Sequence, residues 1–570
     1  MSLDLRGTFP GGKLASTMSG LTTRPELRSL RASGTPRDLL FALLLGLVWF
    51  GANNLNVVRA HLQTPPGTQA TWTPREIDVA QHLTWVNAMK DAAVIGNYHM
   101  PAATAGGLFC PLTWLLGQVA RLGIDASLAY ACAQMLIQVL GMYCILVCLR
   151  IFLIPRRHYL AVALLSLAAV SLRSPLNVWN ALNGRGGPPL FAIVDGFFLP
   201  APLTVALGTV SVFASLALVT RYVLRGHRAD LYAAAAIAAV SGVCHPFEVF
   251  TIMAGTTLTL LAIRWPNRRS AVADSLVVCL PGALSVVPYV YFSITVPWMH
   301  RITQLNTEPL PDFVRLLAGF GIPAAFVLVN LVAGPKLRSP TDVVLQCWFA
   351  AVLLVVHTPK LPWAVHAADG FAFITALLAM RQLTQLSYLR NWISLHPRAA
   401  ALAGAAVLGP ALFAHGALRY MSFRDGLNPH SHFGLSAVAP QAETDLIRWF
   451  RRHGTREDVV IAPSPETSWM LATAPVHVVA SHWLFSATFE AQRKLRDRLY
   501  SGDWSNESAL EFLRRYGINY VVVPDGSKLH CLLDGYPKVA VFGSWTLYHL
   551  PENHMADALP DPDWTPFPAK

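Results

Sequence analysis

Two carboxylates, an imidazole and an indole lie close together in the segment TWTPREIDVAQHLTWVNAMKD (71–91), at Glu76, Asp78, His82 and Trp85. Asp78 and His82 are spaced i,i+4, and Asp78 and Trp85 i,i+7, so a helix places these three on one face. Thr73 or a neighbour can cap such a helix, Pro74 suits its first turn, and Glu76 supports the positive end of its dipole. A carboxylate held at a membrane boundary can take the proton of an attacking acceptor, which is general-base chemistry. The same residues also suit a solvated amphipathic helix on a membrane surface, with no chemistry at all.

Other ionisable groups stand where they cost energy. Asp195 lies in PPLFAIVDGFFLPAPL beside the Gly- and Pro-rich NGRGGPP (183–189). His245 and Glu248 occur in CHPFEVF, where Pro246 interrupts an apolar run, and Lys360 and His366 flank Pro362 and Trp363. Arg173, Arg185, Arg301 and Lys360 are isolated cations at the outer boundary, where snorkelling to lipid headgroups accounts for them. Ionisable side chains at membrane depth usually face a cavity or a partner. Taken singly, each is as well explained as a structural cap.

The elements that must hold these groups follow from composition. The chain has 570 residues, of which 54% are hydrophobic and only 13% charged. Its mean hydropathy is +0.42. A soluble domain carries about 25% charged residues, so this chain has too little polar surface to be one. A soluble enzyme, a fibre and a disordered chain are excluded, leaving a polytopic α-helical membrane protein. The net charge of +12 is concentrated before residue 421; the last 150 residues hold 14 basic and 17 acidic side chains. That asymmetry follows the positive-inside rule and requires no nucleic acid. Eight cysteines form no CxxC pair and mostly sit in apolar runs, as small buried hydrophobes do.

Residues 1–37 read as a disordered basic cytoplasmic tail before a first span at Leu39–Leu55. Later apolar runs fall at 127–153, 158–172, 201–223, 230–246, 248–263, 271–294, 313–333, 341–357, 366–380 and 399–418. The total is about eleven transmembrane helices. Gly106–Leu122 is placed as a helix in the outer interface, which puts Arg150, Arg156, Arg157, Arg221, Arg264 and Arg381 inside. Arg59, Arg75 and Lys90 remain as isolated cations of a long outer loop, 56–105. The membrane module then covers 38–420, and 421–570 form a C-terminal extracytoplasmic α/β domain. In that domain helices at 443–454, 491–500 and 506–517 alternate with strands at 459–463, 476–481 and 518–524, before a closing pair around 538–550. It carries no phosphate loop, nucleophile elbow or metal-ligand spacing.

The order of these parts resembles the GT-C superfamily of integral-membrane glycosyltransferases, which use polyprenyl-phosphate sugars. Glu76 and Asp78, GLFCPLTWLLGQVARLGI (107–124), HPF (245–247) and YGINYVVVP (516–524) carry the resemblance, which covers nearly the whole chain. It implies that a first-loop acid is the base, mapping to Asp78 or Glu76. Ile77 separates the two acids, so the choice stays open. His82, Trp85, Asp195, His245, Arg301, Lys360 and His366 become candidates for substrate binding. The partners implied are a polyprenyl-phosphate-linked sugar, a glycan, lipid or protein acceptor, and the bilayer. A lipid-phosphate donor already carries a leaving group, so one direct displacement with inversion is expected. No cofactor is indicated and no metal ligands are assigned; a divalent metal requirement stays open. Abundant Ala, Arg, Gly and Leu with few lysines point to a bacterial inner membrane. A secondary transporter, favoured by Glu248 and Asp274, and a non-catalytic GT-C-like scaffold are the competing readings.

Overall fold

The computed structural model describes residues 36–102, 104–152, 154, 159, 162, 203–305, 326–329, 331, 339–358, 361, 366, 368, 370–400, 402–406, 409, 420, 423–429, 436–482, 485 and 489–553. The tail 1–35 and most of the expected runs 158–172, 313–333 and 399–418 lie outside them. The chain divides into two compact units. One comprises Met1–Phe50, Met135–Val287 and Pro309–Leu418; the other comprises Gly51–Gln134, Pro288–Glu308 and Arg419–Lys570.

Among the described residues the apolar runs are helices with nearly the expected bounds, among them Ala126–Ile151, Leu203–Arg225, Arg228–Cys244, Phe247–Ile263, Arg268–Thr295, Pro340–Val356 and Phe371–Gln385. Among the described residues three helices are long and apolar enough to cross a membrane: Ala126–Ile151, Leu203–Arg225 and Trp265–Thr295. Pro36–Asn53 and Leu55–Leu62, broken at Asn54, pass the same test together. Their outward side chains are apolar, with Leu276, Leu280, Leu284 and Tyr291 exposed in a line along one helix. In water such a stripe would be a liability, and against acyl chains it is the required surface. The fold is therefore that of a mostly helical integral membrane protein.

Apolar helices in lipid gain little from hiding from the solvent, so close contact between them must supply the attraction. Gly255 of Phe247–Ile263 lies flat against the Trp348 ring of Pro340–Val356; a Cβ there would stand 2.7 Å from the indole. We expect Gly255→Val to lower the thermal midpoint by an overpacking cost of about 1–3 kcal/mol. Gly404→Val, with nothing within 4 Å of the added carbon, should leave it unchanged. Equal midpoints for both variants in a melting experiment would contradict this packing.

Among the described residues, four of the arginines assigned to the inner helix ends are paired. Arg150 bonds Asp38, Arg221 reaches Asp230 at 3.0 Å, Arg264 bonds Asp274, and Arg381 reaches Asp342 at 2.6 Å. Tyr222 also donates to Asp274, at 2.5 Å. A charge taken into a low-dielectric boundary needs such a partner. Asp274, one of the two acids that favoured transport, is thus engaged in an ion pair.

The second unit is built on a five-stranded sheet. A two-stranded ribbon joins β1 (Thr68–Ala70) antiparallel to β2 (Val438–Pro440). The larger sheet has the order β4-β3-β5-β7-β6, with β3 (Val459–Ile461) parallel to β4 (His477–Val478) and β5 (Tyr520–Pro524). β7 (Trp545–His549) runs antiparallel to β5 and to β6 (Lys538–Phe542). β3 and β5 read as unbroken apolar runs because both sheet faces are covered. Val459, Ile461, Val521 and Val523 face helices Phe489–Ser501 and Asn506–Arg515. Val460 and Val522 face Gln441–His453, through Leu446 and Phe450.

The ribbon shows that the first loop folds with the C-terminal residues. Beyond the ribbon, Thr71 N–H donates to Ala437 O and Arg75 N–H to Ser436 O, both at 2.8 Å. Segment 71–75 is therefore committed to extended pairing, and the helix begins later than expected, at Ile77 rather than near Pro74. Arg75 is no isolated cation. Its guanidinium grips both oxygens of Glu443 at 2.6 and 2.7 Å and donates to Pro429 O at 2.6 Å.

Candidate functional site

Helix Ile77–Ala88 carries Asp78, His82 and Trp85, the first-loop candidates, with Glu76 at its start. Glu76 is its N-cap in extended conformation, without a side-chain capping bond, and Asp78 lies in its first turn. The macrodipole favours a negative charge there. The helix is pinned from one side by Pro111–Arg121, the C-terminal part of the expected interface run. Gly117 lets the backbones meet, since a Cβ would stand 2.8 Å from Val86 O. Gln118 Nε2 donates to Met89 O at 3.0 Å. Trp114, Leu115 and Leu122 are left exposed on the outward side.

The two acids stand in different environments. Glu76 is partly buried, and burial, then the Asp78 charge, push its pKa up to about 8. That direction favours the protonated, neutral carboxyl near neutral pH. The Asp78 side chain keeps 43% of its exposure and stays open to a reacting group. The imidazole expected beside it is not the one that faces its carboxylate. His82 Nδ1–H donates to the Asp78 backbone carbonyl at 2.7 Å, and the ring packs on Trp85 at 4.7 Å and Tyr130 at 6.1 Å. Burial lowers the pKa of His82, against the pull of Asp78.

The imidazole facing the Asp78 carboxylate is His482, which no sequence pattern marked. Its Nε2 lies 3.7 Å from Asp78 Oδ1, and its side chain is fully buried. His482 follows β4 by way of Ala480, a residue with φ of +52°. Left-handed backbone is strained for alanine, and such strain clusters at functional sites. Gln492 Oε1 holds the Ala480 N–H at 2.9 Å. The first loop clamps the same turn: His477 Nδ1–H donates to Met100 O at 2.6 Å, and Asn97 Nδ2 donates to Phe485 O at 2.7 Å. His99 Nδ1 lies 2.9 Å from Ser481 Oγ, and its ring meets His482 edge-on at 5.3 Å. Phe485 packs edge-on against His482 at 5.0 Å and Trp85 at 5.8 Å. Burial lowers the pKa of both His99 and His482. Asp78 thus faces one imidazole, His482, which is itself packed among His99 and Phe485.

The remaining candidates are elsewhere. Arg301 is exposed on Pro297–Leu305. His245 and His366 lie in the other unit, with rings 5.2 Å apart at 87°. His245 Nδ1 bonds the fully buried Glu248 at 2.6 and 2.8 Å. Gly208 makes room for that carboxylate, since a Cβ would fall 2.4 Å from it. Asp195, Lys360, Arg173 and Arg185 lie outside the described residues. Among the described residues no three His, Cys, Asp or Glu side chains form a group that could hold a metal ion.

No protein-family model matches the chain, and no curated protein sequence does. Among solved structures it is similar to ArnT from Cupriavidus metallidurans bound to undecaprenyl phosphate, with 14% identity, a TM-score of 0.47 and coverage of 91% of this chain and 98% of that one. It is also similar to the archaeal oligosaccharyltransferase AglB from Archaeoglobus fulgidus, in complex with an inhibitory peptide and a dolichol-phosphate. There the identity is 13%, the TM-score 0.45, and the coverage 84% of this chain and 69% of that one. These structure neighbours are of the GT-C class that the sequence resembles. At these values the likeness is one of outline.

Proposed function

We propose that the chain is a membrane glycosyltransferase that moves a sugar from a polyprenyl-phosphate donor to an acceptor on the outer side of the membrane, with Asp78 as base. The observation that carries this reading is the division of labour between the two acids. Asp78 is a partly exposed carboxylate at a helix start, whereas Glu76 beside it is held neutral. A base must be ionised and accessible; burial favours the protonated form of Glu76, while the Asp78 side chain keeps 43% of its exposure. Asp78 removes the acceptor hydroxyl proton while that oxygen bonds to the anomeric carbon. The bond from that carbon to the phosphate oxygen breaks, and polyprenyl phosphate leaves with the electron pair. One displacement inverts the anomeric centre. Trp85, with His82 packed on it, supplies the surface for the sugar.

His245, His366 and Arg301, with Asp195 and Lys360, remain the candidates for binding donor and acceptor. The acceptor is a glycan, lipid or protein hydroxyl, and the membrane is a bacterial inner membrane with a cytoplasmic N-terminus and the α/β sheet outside. A panel of labelled polyprenyl-phosphate sugars, presented to the purified protein in bilayers with an acceptor extract, tests this. Release of polyprenyl phosphate coupled to labelled acceptor is expected. Uptake of an unmodified solute without release would replace the reading with transport.

The raised pKa of Glu76 has a measurable sign. Between its ordinary value of 4.5 and about 8 the folded state holds a proton that the unfolded chain has lost. Stability therefore falls as pH rises through that window. Glu76→Gln preserves the neutral shape and removes the titration. The wild-type thermal midpoint should decline from pH 5 to pH 8 more steeply than that of Glu76→Gln. Parallel curves would mean that Glu76 ionises freely. At pH 7 the substitution should leave most of the transfer rate, because the residue already acts as a neutral amide would.

A further inference from the structure

We propose that His482 is the positioning residue of the reaction: a neutral imidazole whose Nε2–H is directed at the Asp78 carboxylate and holds that carboxylate ionised and aimed. The inference rests on the reading of Asp78 as base. Its first support is the tautomer. Phe485 N–H donates to His482 Nδ1 at 3.4 Å, so Nδ1 is the unprotonated nitrogen and the ring proton sits on Nε2. Nε2 is the atom that lies 3.7 Å from Asp78 Oδ1. That separation is longer than a hydrogen bond, as catalytic contacts often are before substrate closes the site.

The second support is the way His482 is delivered. Its backbone leaves β4 through the left-handed Ala480, whose N–H is tied to Gln492. Phe485, which fixes the tautomer, is itself held by Asn97 of the first loop. The loop that supplies the base therefore also locks the orientation of its partner. A buried core histidine needs none of this arrangement.

Among the described residues, the titratable groups coupled to the pair or to its neighbours are Glu76, His82, His99 and His477. Glu76 is neutral near pH 7, and burial lowers the pKa of each of the three imidazoles. None of them supplies a compensating positive charge. A donor aimed at the charged form of an acid favours that form. Without His482, Asp78 should hold its proton to higher pH, and the carboxylate should lose its aim.

The test measures pH profiles of transfer for wild type, His482→Leu and His482→Gln, each with and without Asp78→Asn. Leucine removes the donor, whereas a glutamine amide places an N–H near the position of Nε2. With leucine, kcat should fall by about tenfold and the acid limb should move up by about one pH unit. Glutamine should restore the limb and most of kcat. In the Asp78→Asn background neither change at 482 should matter further. An unmoved acid limb in His482→Leu, or equal losses with and without Asp78, would overturn the role of His482 while leaving Asp78 as base. If His482→Leu does not fold, a limb in His482→Asn that coincides with wild type overturns that role equally, because the shorter amide cannot reach. Full transfer by Asp78→Asn alone would instead remove the reading on which the inference rests.

Discussion

Asp78→Asn is expected to lower sugar transfer by roughly 10²–10⁴-fold, the usual worth of a general base. The change keeps the size of the side chain and most of its hydrogen bonding, and the residue is partly exposed, so folding should survive. Its basicity disappears. Binding of the donor lipid should change little, because the role proposed for Asp78 is on the acceptor proton. Loss of kcat with KM nearly unchanged would mark an interaction made only in the transition state. The same substitution removes one of the two causes that raise the Glu76 pKa, so that carboxyl should titrate lower in the variant. Full transfer by Asp78→Asn together with inactive Glu76→Gln would reverse the assignment of the two acids.

Glu443→Ala should destabilise the second unit by about 3–5 kcal/mol, the cost of leaving one partner of a buried ion pair uncompensated. The Arg75 and Glu443 side chains keep only 4% and 1% of their exposure. Burial pushes the Glu443 pKa up, and Arg75 opposes that shift. Arg75 Nη2 donates to both carboxylate oxygens, a charge-assisted contact. Removing the acid strands a buried guanidinium beside Pro429 O, whereas Arg75→Met with Glu443→Leu removes both charges and should recover most of the loss. Thermal melts of the three proteins check this; a single variant as stable as the double would show that the pair contributes nothing. Arg75 immediately precedes the helix cap at Glu76, so the single variant should also lose transfer as Asp78 drifts from its place.

Local periodicity explains what was legible beforehand. The membrane helices are long apolar runs closed by charges, and their bounds in the structure, such as Leu203–Arg225 against the expected 201–223, differ by a few residues. Strands VVI and YVVVP were legible because a sheet buried on both faces leaves an unbroken apolar run. The pairing of Thr68–Ala70 with Val438–Pro440 was not, since no local pattern carries a contact between residues hundreds of positions apart. Arg75 accordingly looked like an outer-loop cation, and the later start of the Asp78 helix followed from the same missing contact. His482 stood one residue beyond an expected strand in VHVVASHW, and its only advance sign was a polar residue at the carboxyl end of a sheet strand. The left-handed turn at Ala480 has no sequence signature, because glycine or asparagine would be expected there. Asp274 illustrates the opposite error: an acid in an apolar run suggests a transport path until its arginine is seen.

The most direct test is the anomeric configuration of the product. A polyprenyl-phosphate sugar of known anomer is turned over by the purified protein in bilayers, and the new linkage is read by NMR. A base on an outer-loop helix and a single displacement predict the opposite anomer, with free polyprenyl phosphate formed in equal amount. A retained configuration, or no product from any polyprenyl-phosphate donor while the protein remains folded, would contradict the account.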